Sequence, residues 1–356
     1  MGDPVPKNSA VIDRRYNAWL NRFAWLSAVA TLLLICSGGM VTSKGVGLAV
    51  PDWPTTFGYN MFLFPVSKWI GGIFFEHTHR LIASTVGMLT IILAVWLWFA
   101  ESLRWVRMLG LAAVGAVILQ GILGGLRVTM LQDQIGIFHA CLAQAFFALM
   151  VIIALVTSRS WRARGGAELA GVSPAQTDGK TRLVIALVTT VFIYLQLALG
   201  ATMRHQHRDL SITDFPTAYG QWIPDTSPAA ITTINAARDR VGMSDVSATQ
   251  IWLQMAHRFG AVLIAIGAIW FFVSVHREKI SPLRGLSTAW LIGVFVQICL
   301  GAWSIWSNKA ADVATTHVAV GATLLGLGAI ICAFCSRRIE TPVSPTRQLR
   351  SDPAIV

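Results

Sequence analysis

The hydrophobic positions of this chain fall into long unbroken runs, separated by short polar stretches. Runs near the length that crosses a bilayer as a helix, about 20 residues, cover 23–40, 79–99, 105–127, 136–157, 183–203, 253–275, 288–306 and 314–335. The pattern predicts an all-α integral membrane protein with eight transmembrane helices. The first run is longer than the apolar core of a usual signal peptide, so it reads as a retained helix.

Composition agrees with the pattern. Of 356 residues 54% are hydrophobic and 13% charged, and the mean hydropathy of +0.61 lies outside the range of water-soluble domains. The net charge of +11 raises the question of nucleic acid, and the placement of the cations answers it. With the N-terminus in the cytoplasm, most of the Lys and Arg fall on inner segments, among them Arg104, Arg107, Arg159, Arg162, Arg182, Arg277 and Arg284. That is the positive-inside bias of a membrane protein, not a nucleic-acid footprint. Both termini are expected in the cytoplasm and lipid is the expected surrounding partner. The expected location is the cell inner (cytoplasmic) membrane, or the mitochondrial inner membrane in a eukaryote. All five cysteines, Cys36, Cys141, Cys299, Cys332 and Cys335, fall in apolar runs and read as small apolar residues rather than a loop disulfide.

Comparison of the chain with itself exposes a repeat. His79 and His139 are 60 residues apart and so are His257 and His317, and one offset of 178 maps both histidines and takes Arg80 onto Arg258. After the first run comes Asp52-Trp53-Pro54-Thr55-Thr56-Phe57-Gly58, and after the fifth Asp214-Phe215-Pro216-Thr217-Ala218-Tyr219-Gly220, at an offset of 162. The second half therefore holds 16 extra residues, expected around 226–247. Gln120 to Gly125 matches Gln297 to Ala302 with a slip of one. Each half is a four-helix unit. Because four is even, the two units enter and leave on one side, which predicts a parallel repeat of two four-helix bundles. The expected division is an N-terminal bundle over 1–157, a basic cytoplasmic linker over 158–182, a C-terminal bundle over 183–338 and a polar tail over 339–356.

Ionisable side chains are costly at membrane depth and those retained usually face a bundle interior. His79, His139, His257 and His317 are each read as opening a helix that starts outside, so the two of each half lie at equal depth. Two imidazoles facing across a bundle suit a planar metallocofactor, one nitrogen on each axial face of the iron, and haem is the natural occupant. Zinc would want further Cys, Asp or Glu ligands, and a di-iron carboxylate site more Glu-x-x-His elements than Glu76-His77-Thr78-His79 supplies. A bland role as helix-bonding histidines fits one such residue better than four at duplicated spacing. Arg80 and Arg258 are candidates to pair with haem propionates or are snorkelling cations. His77, His205, His207 and His276 lack counterparts at the repeat offset and read as surface residues.

The halves differ most three residues before the first histidine of each. Glu76 shares a helical face with His79, and the position at the same offset is Gln254. A carboxylate in an apolar setting beside a haem edge is expected to have a raised pKa and to carry protons during oxidation of a bound group. The first half is therefore the candidate reaction site and the second the candidate b-type haem site. The two Asp-aromatic-Pro-Thr loops are expected to cover the outer ends of the bundles. Their Asp residues have no role legible here.

These residues together resemble the haem A synthase family: eight spans, a four-helix unit used twice, Glu76-x-x-His79-Arg80, and His139, His257 and His317 at the starts of later spans, over about Asn21 to Arg338. The resemblance implies oxidation of a methyl group of haem O to a formyl group through hydroxylated intermediates, giving haem A for cytochrome oxidase. It implies that His79 and His139 hold haem O with Glu76 as the functional carboxylate, and that His257 and His317 ligate haem b. It further implies a haem O-producing membrane enzyme as supplier and cytochrome oxidase assembly as destination; a homo-oligomer is compatible with it. Some members carry a cysteine pair in the first outer loop, which this chain lacks. A non-catalytic bis-histidine diheme electron-transfer cytochrome stays open as the alternative, and a haem carrier as a weaker one.

Overall fold

The computed structural model describes residues 16–162, 176–206, 210–278 and 280–337. Among them the long elements are all helices: α1 Ala18–Ser43, α2 Gly71–Ala100, α3 Arg104–Met130, α4 Asp133–Val156, α5 Gln176–Gln206, α6 Pro228–Asp239, α7 Ala248–Arg277, α8 Ser281–Trp306 and α9 Ala311–Arg337. All except α6 are long and apolar enough to cross a membrane, as the runs of the sequence require. Residues 163–175 of the expected linker, the expected tail, His207 and Arg208 lie outside the described residues. The end of the linker stretch is helix: α5 begins at Gln176, and Arg182 is buried in an ion pair with Glu278.

Helix ends follow local chemistry. The Asn17 side chain accepts the N–H of Leu20 at 3.0 Å and starts α1. Ser247 and Gln250 form a reciprocal capping box at the start of α7, satisfying N–H groups that the first turn leaves open. That cap corrects one expectation. None of the four histidines opens its helix: α2 starts at Gly71, α7 at Ala248, α4 at Asp133 and α9 at Ala311, so His79 and His257 lie about two turns inside and His139 and His317 between one and two. Hydropathy misses the turns before His79 and His257 because they carry Glu76 and Gln254, whose polar groups are taken up by loop backbone.

Packing makes two closed rings of four helices. In the first, α1, α2, α3 and α4 each touch the next and α4 closes on α1; in the second, α5, α7, α8 and α9 do the same. The rings meet where α9 lies on α1 and α4, and α4 on α5. Leu93, Leu97, Met150 and Ile153 are buried in the first ring, and Phe271, Leu283, Trp290 and Ile331 in the second. Leu33, Val95, Ile118, Ile266 and Phe295 face outward, as lipid-facing positions do.

Small residues let the rings close on each other. A Cβ on Gly39 would stand 2.9 Å from the Thr315 side chain of α9. Beside it, Arg204 of α5 donates to the Gly39 carbonyl at 2.5 Å and to the Ser43 hydroxyl, so a cation from the second ring is tied into α1 of the first.

Paired histidines beneath two matched loops

The two Asp-aromatic-Pro-Thr loops have the same conformation, for a reason the side chains supply. Asp52 accepts the N–H of Phe57 at 2.7 Å and of Gly58 at 2.9 Å, together with the Thr55 hydroxyl. Asp214 accepts Tyr219 at 2.8 Å, Gly220 at 3.0 Å and the Thr217 hydroxyl at 2.8 Å. Each aspartate thus closes a tight turn whose glycine has a φ that L side chains rarely adopt, +76° at Gly58 and +77° at Gly220. Burial alone would raise both carboxyls, but the hydrogen bonds from Gly58, Thr55 and Phe57, and from Gly220, Tyr219 and Thr217, hold them below the ordinary aspartate value.

The loops are anchored to α2 and α7 at matching stations. Glu76 is buried, and its Oε2 accepts the N–H of Val50 at 3.0 Å. Gln254 is buried, accepts the N–H of Ile212 at 2.8 Å and donates to the Ile212 carbonyl at 3.0 Å. Glu76 cannot donate, and Arg80 supplies that half of the bracket. Its Nη2 bonds the Val50 carbonyl at 2.9 Å and Glu76 Oε1 at 2.8 Å. Its Nη1 bonds the carbonyls of Asp52 and Thr55. Arg258 likewise bonds the carbonyls of Asp214 and Thr217 at 2.6 and 2.8 Å. Both arginines named from the sequence therefore spend guanidinium donors on loop backbone.

Beneath the loops stand the four histidines, each partly buried inside its ring. His257 and His317 face each other with ring centres 6.4 Å apart. A metal binds an imidazole nitrogen at about 2 Å and that nitrogen lies a little over 1 Å from its ring centre, so two imidazoles sharing one iron have centres roughly 6–6.5 Å apart. The second pair fits that spacing. His139 lies close enough to His79 for a charge on one to act on the other. In all four rings Nδ1 is sealed without a hydrogen-bond partner, whereas no Nε2 is closed off in that way. Every ring also presents its Cε1 edge to a glycine on the preceding long helix: Gly38 to His79, Gly124 to His139, Gly200 to His257 and Gly301 to His317. This donor set, two imidazoles per ring whose Nε2 atoms meet no partner among the described residues closer than Gln297 at 3.5 Å from His317, suits the axial positions of a haem iron.

Two cations near the pairs were not singled out from the sequence. Arg127 of α3 acts electrostatically on both His79 and His139, and Arg204 on His317. Arg127 packs under Gly47 and Gly136, and His205 also meets Gly136. Glycines matched at the loop offset, Gly38 and Gly200, were the available signal for the histidine cradles.

One reading is corrected. His77 is not a surface residue but fully buried. It lies under the first loop against Phe64 and Trp69, with Nδ1 3.3 Å from the Thr56 hydroxyl. The lack of a counterpart at the repeat offset suggested exposure, and that test takes no account of the loop folded over it. His276 is partly buried near the other end of α7, stacked on Phe272.

The 16-residue excess of the second half includes α6, an added cover. Its buried Arg238 donates to the carbonyls of Leu210 and Ser244 at 2.8 and 2.7 Å. Ile231 and Ile234 pack on Ile212, Val246, Ile251 and Met255.

Eight apolar helices arranged as two rings, each with an inward histidine pair, define a multi-pass membrane protein with two like sites. The chain belongs to the COX15-CtaA family of cytochrome oxidase assembly proteins, whose family model matches residues 21–328. It is similar to proteins named Heme A synthase. That of Lysinibacillus sphaericus is 25% identical over 88% of this chain and 94% of the relative. That of Geobacillus kaustophilus is 24% identical over 91% and 94%, and that of Shewanella oneidensis 25% over 86% and 93%. The family resemblance read from the histidine spacing and the Glu76 motif holds.

Proposed function

We propose that this chain is a haem A synthase, which takes haem O as substrate and oxidises one of its methyl groups to a formyl group through hydroxylated intermediates. The observation that carries the reading is one difference between two matched sites: Glu76 and Gln254 hold equivalent loops over equivalent histidine pairs, and only the first is a carboxylate. An amide suffices to anchor the loop, as Gln254 demonstrates, so the carboxylate at Glu76 points to chemistry. Membership of the family and the names of its relatives support the same conclusion. They do not favour a non-catalytic diheme cytochrome, which needs no such difference.

In this reading His79 and His139 hold the substrate haem O, and Glu76 accepts protons released at its edge while Arg80 and the Val50 N–H keep its oxygens in place. His257 and His317 hold haem b, which supplies one-electron transfer when bound. Arg127, which acts on both histidines of the first pair, and Arg204, which acts on His317, join Arg80 and Arg258 as candidates to face porphyrin carboxylates. The loops exclude water from both sites. The bundles form a parallel repeat, divided at the 158–182 linker, with both termini in the cytoplasm of a cell carrying the protein in its inner membrane. A haem O-producing membrane enzyme supplies the substrate, and haem A passes to cytochrome oxidase assembly; self-association is compatible with this layout.

The test is extraction of pigments from protein purified from cells that also make haem O. Haem A or a hydroxylated haem O in the extract supports the reading. Two stoichiometric haems B and no modified porphyrin overturn it.

A further inference from the structure

The four histidines share a unit smaller than a half. Each stands on the second helix of a pair, against a glycine of the first: an added Cβ would lie 2.9 Å from His79 Cε1 at Gly38, 3.3 Å from His139 at Gly124, 3.4 Å from His257 at Gly200 and 3.2 Å from His317 at Gly301. The pairs are α1/α2, α3/α4, α5/α7 and α8/α9. One turn before the glycine, three of the pairs carry a glutamine. Its Nε2 donates to the backbone carbonyl of the histidine itself: Gln120 to His139 at 3.0 Å, Gln196 to His257 at 2.5 Å and Gln297 to His317 at 2.9 Å. The fourth pair has Leu34 at that position, with no amide to give, packed among the apolar side chains of the first ring.

The amide nitrogen is the end in use, because Oε1 of Gln120 and of Gln297 is buried without a partner. Space is made for the glutamines too: Gln196 lies against Gly260 and Gln297 against Gly321, on the turn following each histidine. A second donor on the histidine carbonyl ties the ligand-bearing turn to the neighbouring helix. Rotation or sliding of that helix then breaks a hydrogen bond in surroundings with no water to replace it. His139, His257 and His317 are held in this way at the residue that would carry the iron. His79 has no such amide bond and is steadied by glycine contact, apolar packing and the loop bonds of its neighbours Glu76 and Arg80.

We infer that Gln120, Gln196 and Gln297 are positioning residues for axial histidines, and that Leu34 leaves His79 the one yielding ligand, so that the first site exchanges its porphyrin while the second retains it. The inference rests on the proposed function, in which the first site must admit a substrate and release a product and the second keeps its haem through many turnovers. Three tied ligands and one untied divide the sites in that sense, since only the first contains an untied one.

The experiment uses the full chain in detergent, loaded with porphyrin, and follows transfer to excess apomyoglobin at wavelengths that separate formyl-bearing from unmodified haem. Leu34→Gln is expected to slow release from the first site about threefold, the factor equivalent to one interhelical hydrogen bond in a membrane, and to leave the second unchanged. Gln297→Met, close in length and without the amide, is expected to speed release from the second site by a similar factor and to shift the largest g value of its low-spin signal in electron paramagnetic resonance. A change in that signal reports the setting of the imidazole, which a loss of stability alone leaves as it was. Unchanged release in Leu34→Gln overturns the inference, and so does a Gln297→Met protein with parental release and parental g values. Should Leu34→Gln not assemble, Gln297→Met and Gln120→Met decide by the same two readouts. Failure of the proposed function is read separately, from the masses of the extracted pigments in the parent.

Discussion

Glu76 Oε2 accepts the backbone N–H of Val50 at 3.0 Å, so the carboxylate that distinguishes the first site also fastens the loop above it. The proposed chemistry and the observed closure meet in one side chain, and replacements at this position separate them.

Glu76→Gln keeps an oxygen for the Val50 N–H and adds the donor with which Gln254 holds Ile212, while Arg80 keeps its three loop carbonyls. The loop and the bound haem are expected to persist. Product is expected to fall by about 10²–10⁴-fold, the range for loss of a general acid or base. Haem content by absorbance and haem A by mass, measured on one preparation, check this; parental product yield would remove Glu76 from the chemistry.

If His257 and His317 hold haem b as proposed, His257→Ala or His317→Ala leaves that haem with one axial histidine. The low-spin b-type spectrum is expected to disappear in either variant, with the first pair intact. Absorbance and electron paramagnetic resonance report the change, and retention of the parental spectrum in both would mean that these imidazoles do not ligate iron.

Gly38→Ala places a methyl group 2.9 Å from His79 Cε1, whereas Gly200→Ala places one 3.4 Å from His257 Cε1. The first is closer than real Cβ contacts come and the second is ordinary contact. Gly38→Ala is expected to cost about 1–3 kcal/mol, as overpacking does, and to lower occupancy of the first site. Gly200→Ala should be close to silent. Thermal unfolding in detergent together with haem content would show a reversed order if the cradles were not the cause.

The Asp52 carboxyl is held below its ordinary value in the folded loop by Gly58, Thr55 and Phe57, against the opposite pull of burial. A lowered folded pKa means that its contribution to the loop is complete above the unfolded value, near 3.9, and is lost as pH falls through the folded one. The loop is therefore expected to be indifferent to pH between about 5 and 8 and to loosen only below about 4. Asp52→Asn turns one acceptor into a donor and should speed amide exchange at Gly58 about fivefold, equivalent to roughly 1 kcal/mol per hydrogen bond. Hydrogen exchange across residues 50–60 tests both statements.

Arg204 is a cation of the second ring, near His317 and bonded to the Gly39 carbonyl. A positive charge favours the reduced form of a nearby iron. Arg204→Met is expected to lower the midpoint potential of the second-site haem by an amount on the order of 50 mV, for one charge within about 10 Å at an effective dielectric near 20. It should also lower thermal stability, since the ring contact through Gly39 and Ser43 is lost. Redox titration with thermal unfolding would reveal a purely structural Arg204 as a stability loss at constant potential.

The eight spans and the facing of His257 and His317 were legible because both are written in spacing: apolar runs of bilayer length, and histidines at one interval in each half. The matched turns at Asp52 and Asp214 were legible as a pattern and not as a cause, since the bonds from aspartate to N–H groups further on appear only when the chain turns back. Glu76 was recognised as different from Gln254, but its bond to Val50 joins residues that the loop brings together. His77 was misread because absence from the repeat was taken for exposure, while the first loop folds over it. The Gln-x-x-x-Gly cradles escaped notice at Gln196 because the pairs are separated by unequal loops, so no single offset aligns all four.

Arg238 and the short helix α6 give the second loop a brace that spans both of its ends, and no counterpart occupies the shorter first loop. Opening that cover requires the bonds from Arg238 to Leu210 and Ser244 to break together, so the second loop is expected to move as one piece with α6.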